Sequence, residues 1–316
     1  FFPEPEGLDK FEKLRVVLMQ LLEVESFYQK IGGLLGYYYL FLDLACGSTN
    51  SKKQDYLKPP FEDITQKTDR STALSFQGLE ALPRLAALFP VGGAGERLGL
   101  KDSMGRSLPV AFLNFKGKSL LEHLFEDLLA YETMYFRHHK KKVSIPVGLM
   151  TSEVNDNHEL IQEFLEANLY FGKDPESVFL FKQPLVPVIS QGGDFLLDGP
   201  LSLLRRPGGH GALWNTAEKS HVLDKFLSLG KDKLLVRQIN NPAACLDYPC
   251  LSFIGLGIES NYDFGFASCS RLVGSSEGMN VLIKEDGKQF LSNVEYTDFA
   301  KKGLEDEPQK IGRAHV

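Results

Sequence analysis

From Phe11 to Phe27 the apolar residues Phe11, Leu14, Val17, Leu18, Leu21, Leu22 and Phe27 recur at steps of three and four. That spacing places side chains on one face of a helix and predicts a helical N-terminal piece from Gly7 to about Cys46. The stretch Gly47 to Thr72 is polar, carries turn formers and the pair Pro59-Pro60, and reads as a connector. A main boundary is expected near residue 80. Beyond it, short apolar runs alternate with helical patterns. Leu85 to Val91 reads as a strand entering a glycine-rich loop, Ser119 to Arg137 as a helix, and Ile145 to Met150 as a second strand. Asn155 to Asn168 is helical again, Val178 to Phe181 is a third strand, Glu218 to Leu229 a helix, and Leu234 to Ile239 a further strand. This order predicts an α/β fold with a mixed, mostly parallel sheet covered by helices. After Leu251 the pattern reads as strands alone: Leu251 to Ile258, Gly265 to Cys269, Asn280 to Lys284, and Gln289 to Tyr296 beyond a turn at Glu285-Asp286-Gly287. The sheet is expected to gain antiparallel strands there.

The chain has 316 residues, 43% hydrophobic and 24% charged, which excludes disorder and fibrous repetition. At this size a core is held without disulfides or a structural metal. Thirty-five Lys and Arg against 41 Asp and Glu give a net charge of −6, which argues against nucleic acid as a partner. Four cysteines, Cys46, Cys245, Cys250 and Cys269, form neither a disulfide framework nor a zinc spacing and are expected to be core thiols in a reducing compartment. The longest apolar run, Ile31 to Leu44, is broken by Gly32, Gly33, Gly36 and Asp43, so no membrane span is expected. The start at Phe1 and the ending Ile-Gly-Arg-Ala-His-Val lead us to expect a fragment at both ends, with a foreign tail from about Gln309.

Chemistry concentrates at Leu88-Phe89-Pro90-Val91-Gly92-Gly93-Ala94-Gly95-Glu96-Arg97-Leu98-Gly99. A strand running into three glycines within four residues lets backbone N–H groups close on phosphate, and Arg97 adds a guanidinium fork for phosphoryl oxygens. A tight turn without a ligand is the competing reading. The dinucleotide spacing fails at Leu98, and the P-loop spacing around Gly117-Lys118-Ser119 fails at Phe112, leaving Ser119 as a helix N-cap. His210 lies between glycines, a setting that brings an imidazole close to a ligand. Gln183 is read either as a strand-end cap or as a binding group, and Glu295 either as an exposed strand position or as a binding group. Trp214 and Tyr37, Tyr38 and Tyr39 are read as packing, and the run His138-His139-Lys140-Lys141-Lys142 as a solvated helix end.

The loop resembles the G-G-x-G-T-R-L signature of sugar nucleotidyltransferases, with Glu96 in the Thr position. Phe181 to Pro187, Pro207 to Gly211, Arg237 to Pro242 and Asn293 to Thr297 follow in the order and spacing of the UDP-sugar pyrophosphorylase family. The resemblance is strongest to its plastid-type UDP-glucose pyrophosphorylase branch and covers roughly residues 8 to 300. It implies a Rossmann-like, GT-A-like nucleotidyltransferase domain over 81–300, preceded by a helical segment and connector over 1–80 and followed by an unstructured end over 301–316. It also implies that UTP and glucose 1-phosphate react to give UDP-glucose and pyrophosphate, with Mg²⁺ as cofactor. By the same resemblance Gly92, Gly93 and Gly95 hold the nucleotide, Gln183 and Gly209 the uracil, Arg97 the triphosphate, and His210 lies near the phosphates. Asn241 and Glu295 take the sugar, and Asn240 takes the metal position.

Two departures from the family pattern are visible. Leu108-Pro109-Val110-Ala111 lacks the phosphate-contacting lysine, for which Lys101, Arg106 and Lys116 are candidate replacements. Asn240-Asn241 replaces an Asp-Asn pair, and a neutral amide holds Mg²⁺ less strongly than a carboxylate. A nucleotide-sugar binding protein without catalysis is therefore the alternative to a uridylyltransferase. The expected location is a soluble, reducing compartment, cytoplasm or plastid stroma.

Overall fold

The computed structural model describes residues 8–46, 54–93, 98–239, 247–260, 263–268, 272–285, 287–306 and 313–315. The chain divides into two units, each discontinuous in sequence: residues 1–48, 84–130 and 144–244 form the first, and 49–83, 131–143 and 245–316 the second.

The first unit is built on a parallel sheet. Its four strands lie side by side in the order Lys233–Val236, Leu85–Pro90, Val147–Thr151, Val178–Lys182. Leu85–Pro90 and Val147–Thr151 are buried at every position, which is why they read as unbroken apolar runs rather than as alternation. Ala86, Leu88, Met150 and Phe181 pack against Leu213, Ala217, Val222 and Phe226 from the helices Ala212–Lys219 and Val222–Ser228. On the opposite face Ala87, Phe89, Val147 and Leu149 are fully buried as well, and the helix Asn157–Ala167 contacts the strands Val147–Thr151 and Val178–Lys182. The expected helix Glu218 to Leu229 is two helices, divided where His221 takes a φ of 59°. Ser119 caps Leu120–His139, its Oγ accepting from Glu122 N at 3.0 Å.

The N-terminal helices Leu8–Phe27 and Gly33–Cys46 are tethered within this unit by polar bonds. Asn215 Nδ2 donates to Phe27 O at 2.6 Å, and Tyr37 and Tyr38 hydroxyls donate to the carbonyls of Pro187 and Gly193. Tyr28 stacks on Tyr37 with ring centroids 5.0 Å apart, which makes Tyr37 and Tyr38 packing residues as expected. The apolar stripe is only partly covered. Val24 and Phe27 are buried, while Phe11, Leu18 and Leu22 are exposed. Cys46 is exposed, contrary to the expected core thiol, because it closes the second helix at its open end; Cys250 is half-buried, and Cys245 and Cys269 lie outside the described residues.

The second unit corrects the reading of Leu251 to Ile258, which is not a strand but the middle of a helix, Tyr248–Ser260. Its apolar run is long enough for either element, and packing decides. The helix lies against Asp69–Glu80, a helix that begins inside the expected connector behind a Thr68–Ser71 capping box. The two backbones meet at glycines. A Cβ on Gly78 would stand 2.0 Å from Leu251 O, and one on Gly255 would stand 1.9 Å from Leu74 O. Ser252 Oγ donates to Ser71 O at 2.9 Å, and Arg70 grips Glu259 with two bonds of 2.7 and 2.8 Å.

The late strands do not extend the parallel sheet. Met279–Glu285 and Lys288–Val294 form an antiparallel hairpin, joined by Asp55–Leu57 from the expected connector, in a sheet of their own. Met279, Val281, Ile283, Val294 and Phe299 make its core. Residues 301–316, expected to lack regular structure, contribute the short strand Arg313–His315 between Phe266–Ser268 and Phe61–Asp63. Its pairing is a backbone property that side-chain periodicity does not reveal.

The close glycine contact predicts opposite outcomes within one helix. Gly255→Ala must push the two helices apart and should lower stability in urea by about 1–3 kcal/mol. At Gly257 a Cβ meets nothing within 4 Å, so Gly257→Ala should be neutral or stabilising by about 0.5–1 kcal/mol. Equal effects of the two substitutions would refute the packing described.

Candidate active site

In an open parallel sheet, ligands bind beyond the carboxyl ends of the strands, where the strand order reverses. Here the chain steps from Leu85–Pro90 through Val147–Thr151 to Val178–Lys182, then returns to place Lys233–Val236 on the other side of the first strand. The glycine loop leaves the first strand at this reversal. Val91 N and Gly92 N both donate to Met150 O, at 2.8 and 2.9 Å, so the start of the loop is held against the neighbouring strand. Gly93 O accepts from Val110 N at 3.1 Å, which closes the far side.

Gln183 follows the last residue of Val178–Lys182. Its N–H donates to Thr151 O at 2.9 Å, and its buried side chain crosses the intervening strand to donate from Nε2 to Gly92 O at 3.3 Å. That approach is why position 92 is glycine: a Cβ there would stand 2.6 Å from Gln183 Nε2, 2.7 Å from Thr151 C and 2.9 Å from Ser152 N. Gln183 therefore fixes the loop with one of its N–H groups, and an amide side chain has a second N–H and an oxygen acceptor beyond that bond.

The segment after Gln183 brings in the next pair of expected residues. Gly208 N donates to Pro184 O at 2.9 Å, with Arg205–Pro207 paired antiparallel to Leu185–Pro187. Gly209, with a φ of 81°, and exposed His210 turn the chain into the helix Ala212–Lys219. His210 Nδ1 lies 3.5 Å from Gln238 Nε2, at the end of Lys233–Val236. Gly92, Gly93, Gln183, Gly209 and His210 thus gather at one end of one sheet. Gly95, Arg97, Asn240 and Asn241 lie outside the described residues. Glu295 belongs to the second unit, exposed just after the strand Lys288–Val294.

Several residues at this end were not singled out by the sequence. Thr151 Oγ1 is 2.7 Å from His158 Nδ1, and Ser152 N donates to Asn157 Oδ1 at 2.9 Å. Burial, followed by the Lys182 ammonium, holds the His158 imidazole below its ordinary value, so the neutral ring is favoured. Arg237 is nearly buried and bonded to Asp127 at 2.6 Å. The signal for Thr151 and Ser152 was their place directly after an apolar strand; Arg237 opens the family segment Arg237 to Pro242, but its pairing with Asp127, 110 residues away, gave none.

The candidate replacements for the absent lysine differ in their freedom. Arg106 is committed to Asp102, whose carboxyl is held below its ordinary value by that side-chain bond. Lys116 lies over the Phe115 ring at 5.5 Å. Lys101 is exposed and has no ion pair among the described residues.

A family model described as UTP--glucose-1-phosphate uridylyltransferase matches residues 42–309. The chain belongs to this family. The UTP--glucose-1-phosphate uridylyltransferase 3, chloroplastic, of Arabidopsis thaliana is 37% identical over 315 residues, covering 93% of this chain and 36% of that protein. The UDP-sugar pyrophosphorylase of Oryza sativa subsp. indica is 28% identical over 305 residues, covering 93% of the chain and 48% of the relative. The chain thus spans between a third and a half of the length of these relatives. Among solved structures, a uridine diphosphate N-acetylglucosamine pyrophosphorylase from Trypanosoma brucei matches with a TM-score of 0.73 at 21% identity, over 97% of this chain and 62% of that one. A UDP-glucose pyrophosphorylase S374W mutant from Leishmania major in complex with UDP-glucose matches with a TM-score of 0.55 at 19% identity, over 90% and 57%. Both likenesses concern the fold.

Two expectations follow from the geometry. Gly92→Ala should displace the Gln183 side chain and cost about 1–3 kcal/mol in a urea melt, with secondary structure by circular dichroism retained. His158 should titrate below 6.5 in an NMR pH series. The unfolded chain then takes up this proton before the folded one, so the His158 contribution to stability is complete above about 6.5 and is lost as pH falls through the folded value. His158→Gln should remove that part of the acid dependence.

Proposed function

We propose that this chain carries the nucleotide site of a uridylyltransferase that joins UTP and glucose 1-phosphate to give UDP-glucose and pyrophosphate. The observation that carries the reading is the Gln183 amide locked under the glycine loop at the strand reversal, in a chain whose family membership spans 42–309. Free Oε1 and N–H groups on Gln183 match the donor and acceptor edge of uracil, and Gly209 gives the base a surface without a side chain. The fold assignment in this proposal is a Rossmann-like, GT-A-like nucleotidyltransferase domain over 81–300, with 1–80 as the helical segment and connector that precede it.

The reaction is an in-line displacement. A phosphate oxygen of glucose 1-phosphate attacks the α-phosphorus of UTP, the bond to the bridging oxygen breaks, and pyrophosphate leaves. The protein's task is to position the partners and neutralise charge. Gly92, Gly93 and Gly95 are assigned to the nucleotide, Gly92 through the close approach that its missing Cβ allows, since its N–H is taken by Met150 O; Arg97 is assigned to charge developing on the leaving pyrophosphate, and His210 to phosphate oxygens near the helix Ala212–Lys219. Asn241 is assigned to sugar hydroxyls.

For Mg²⁺, the chemistry of the donors is informative. Asp127 is paired with Arg237, and Glu153 and Glu159 with Lys182. Among the described residues no group of three or more ligand atoms gathers at the strand ends. Asn240 would offer Mg²⁺ one amide oxygen, a neutral donor of the hard type that this cation takes beside phosphate oxygens. Mg²⁺ would supply charge neutralisation on the phosphates.

No described helix is long and apolar enough to cross a membrane. A soluble protein of the plastid stroma or cytoplasm is the corresponding proposal for location, supported by the chloroplastic relative.

The test is pyrophosphate release from UTP and glucose 1-phosphate with Mg²⁺, alongside UDP-glucose binding. We expect release, and Arg97→Ala should lower turnover by about 100-fold or more with the fold intact. Binding without release would overturn the catalytic assignment and leave a nucleotide-sugar binding protein; an unchanged rate in Arg97→Ala would remove the role given to that residue.

A further inference from the structure

Away from the nucleotide site, in the second unit, two helices end against each other. Glu80 is the last residue of Asp69–Glu80, and His138 and His139 are the last two of Leu120–His139. One ligand atom from each of the three lies within 4.8 Å of the others, the one such group among the described residues. His139 Nε2 is 2.9 Å from Glu80 Oε1, and His138 Nε2 is 4.0 Å from the same oxygen. Neighbouring ligand atoms of a tetrahedral zinc ion, each about 2.0–2.2 Å from the metal, stand about 3.3 Å apart, between these two values.

We propose that Glu80, His138 and His139 form a binding site for a divalent transition metal of the zinc class, closed by water at the fourth position.

Three features separate this from an ordinary charge pair. His139 Nε2 is buried and has no hydrogen-bond partner although the carboxylate oxygen is 2.9 Å away, so the ring nitrogen and the oxygen are close without being in line. That is the relation of two ligands aimed at a shared third atom. Glu80 also sits where its own helix disfavours it, a negative charge at the negative end of the helix dipole, and the second helix brings its own negative end to the same place. A cation there offsets both. The donor set itself selects the metal: two imidazoles and one carboxylate suit zinc and its neighbours, whereas Mg²⁺ requires an oxygen shell.

The surroundings define the limits of the site. Tyr135 packs on His139 with ring centroids 4.3 Å apart, and Phe76 lies beside His138 at 6.2 Å, so both imidazoles are oriented by aromatic neighbours. Arg137, Lys140, Lys141 and Lys142 follow or flank the pair and oppose a cation, and Lys140 Nζ is turned to Arg137 O at 3.1 Å. Glu80 and His138 are about half exposed, which leaves an entry path and room for water. The metal would clip the ends of the two helices without any part in the transfer reaction.

The experiment is a calorimetric titration of the full chain, stripped with chelator, with Zn²⁺, together with thermal melts with and without it. One equivalent should bind and raise the Tm. The double variant His138→Ala/His139→Ala should lose that equivalent and the Tm rise, and Glu80→Gln should weaken binding by about tenfold or more. His221→Ala, which alters an exposed histidine elsewhere, should change neither. All four substituted side chains are at least partly exposed, and circular dichroism checks that each variant folds. Absence of Zn²⁺ binding in the parent chain, or retention of the equivalent in the double variant, would overturn the site.

Discussion

The candidate site of this protein depends on one buried hydrogen bond, from Gln183 Nε2 to the carbonyl of Gly92. The two residues follow strands that are not neighbours, since Val147–Thr151 lies between them. Alternate strands are nearly 10 Å apart, a span that the Gln183 side chain closes above the end of the middle strand. The same residue is anchored through its backbone to Thr151, so three strand ends are joined at one residue. The constraint runs backward into the sequence. Gly92 can have no Cβ, and the glycine loop must begin where it does.

This tie also explains a division of labour. The sheet below it is apolar on both faces, while the residues above it are backbone groups and polar side chains, Gln183 and His210 among them. Charged side chains at this end are largely matched with one another, as Arg237 with Asp127 and Lys182 with Glu159. On the proposed function, these paired groups would leave charge neutralisation largely to other residues and to a cation bound with the substrate.

Much of the first unit was legible because its determinants are local. The fully apolar strands, the glycine loop after the first of them, and Ser119 as a helix cap all announce themselves within a few residues. The second unit was less legible because packing made the decision. Leu251 to Ile258 has the composition of a buried strand, and it is a helix because Gly78 and Gly255 let two backbones meet; neither glycine reveals its partner in sequence. The short strands Asp55–Leu57 and Arg313–His315 are held by backbone bonds to distant segments, which leave no periodicity to read. At the site, the family motifs located Gln183 and His210, whereas Thr151, His158 and Asp127 became visible once the fold placed them beside those residues.

The central claim, that Gln183 reads the base while holding the loop, is tested most directly by measuring UTP and CTP binding side by side in the parent chain and in Gln183→Ala. The account predicts a clear preference for UTP in the parent chain that disappears in the variant. An undiminished preference in the variant would contradict it.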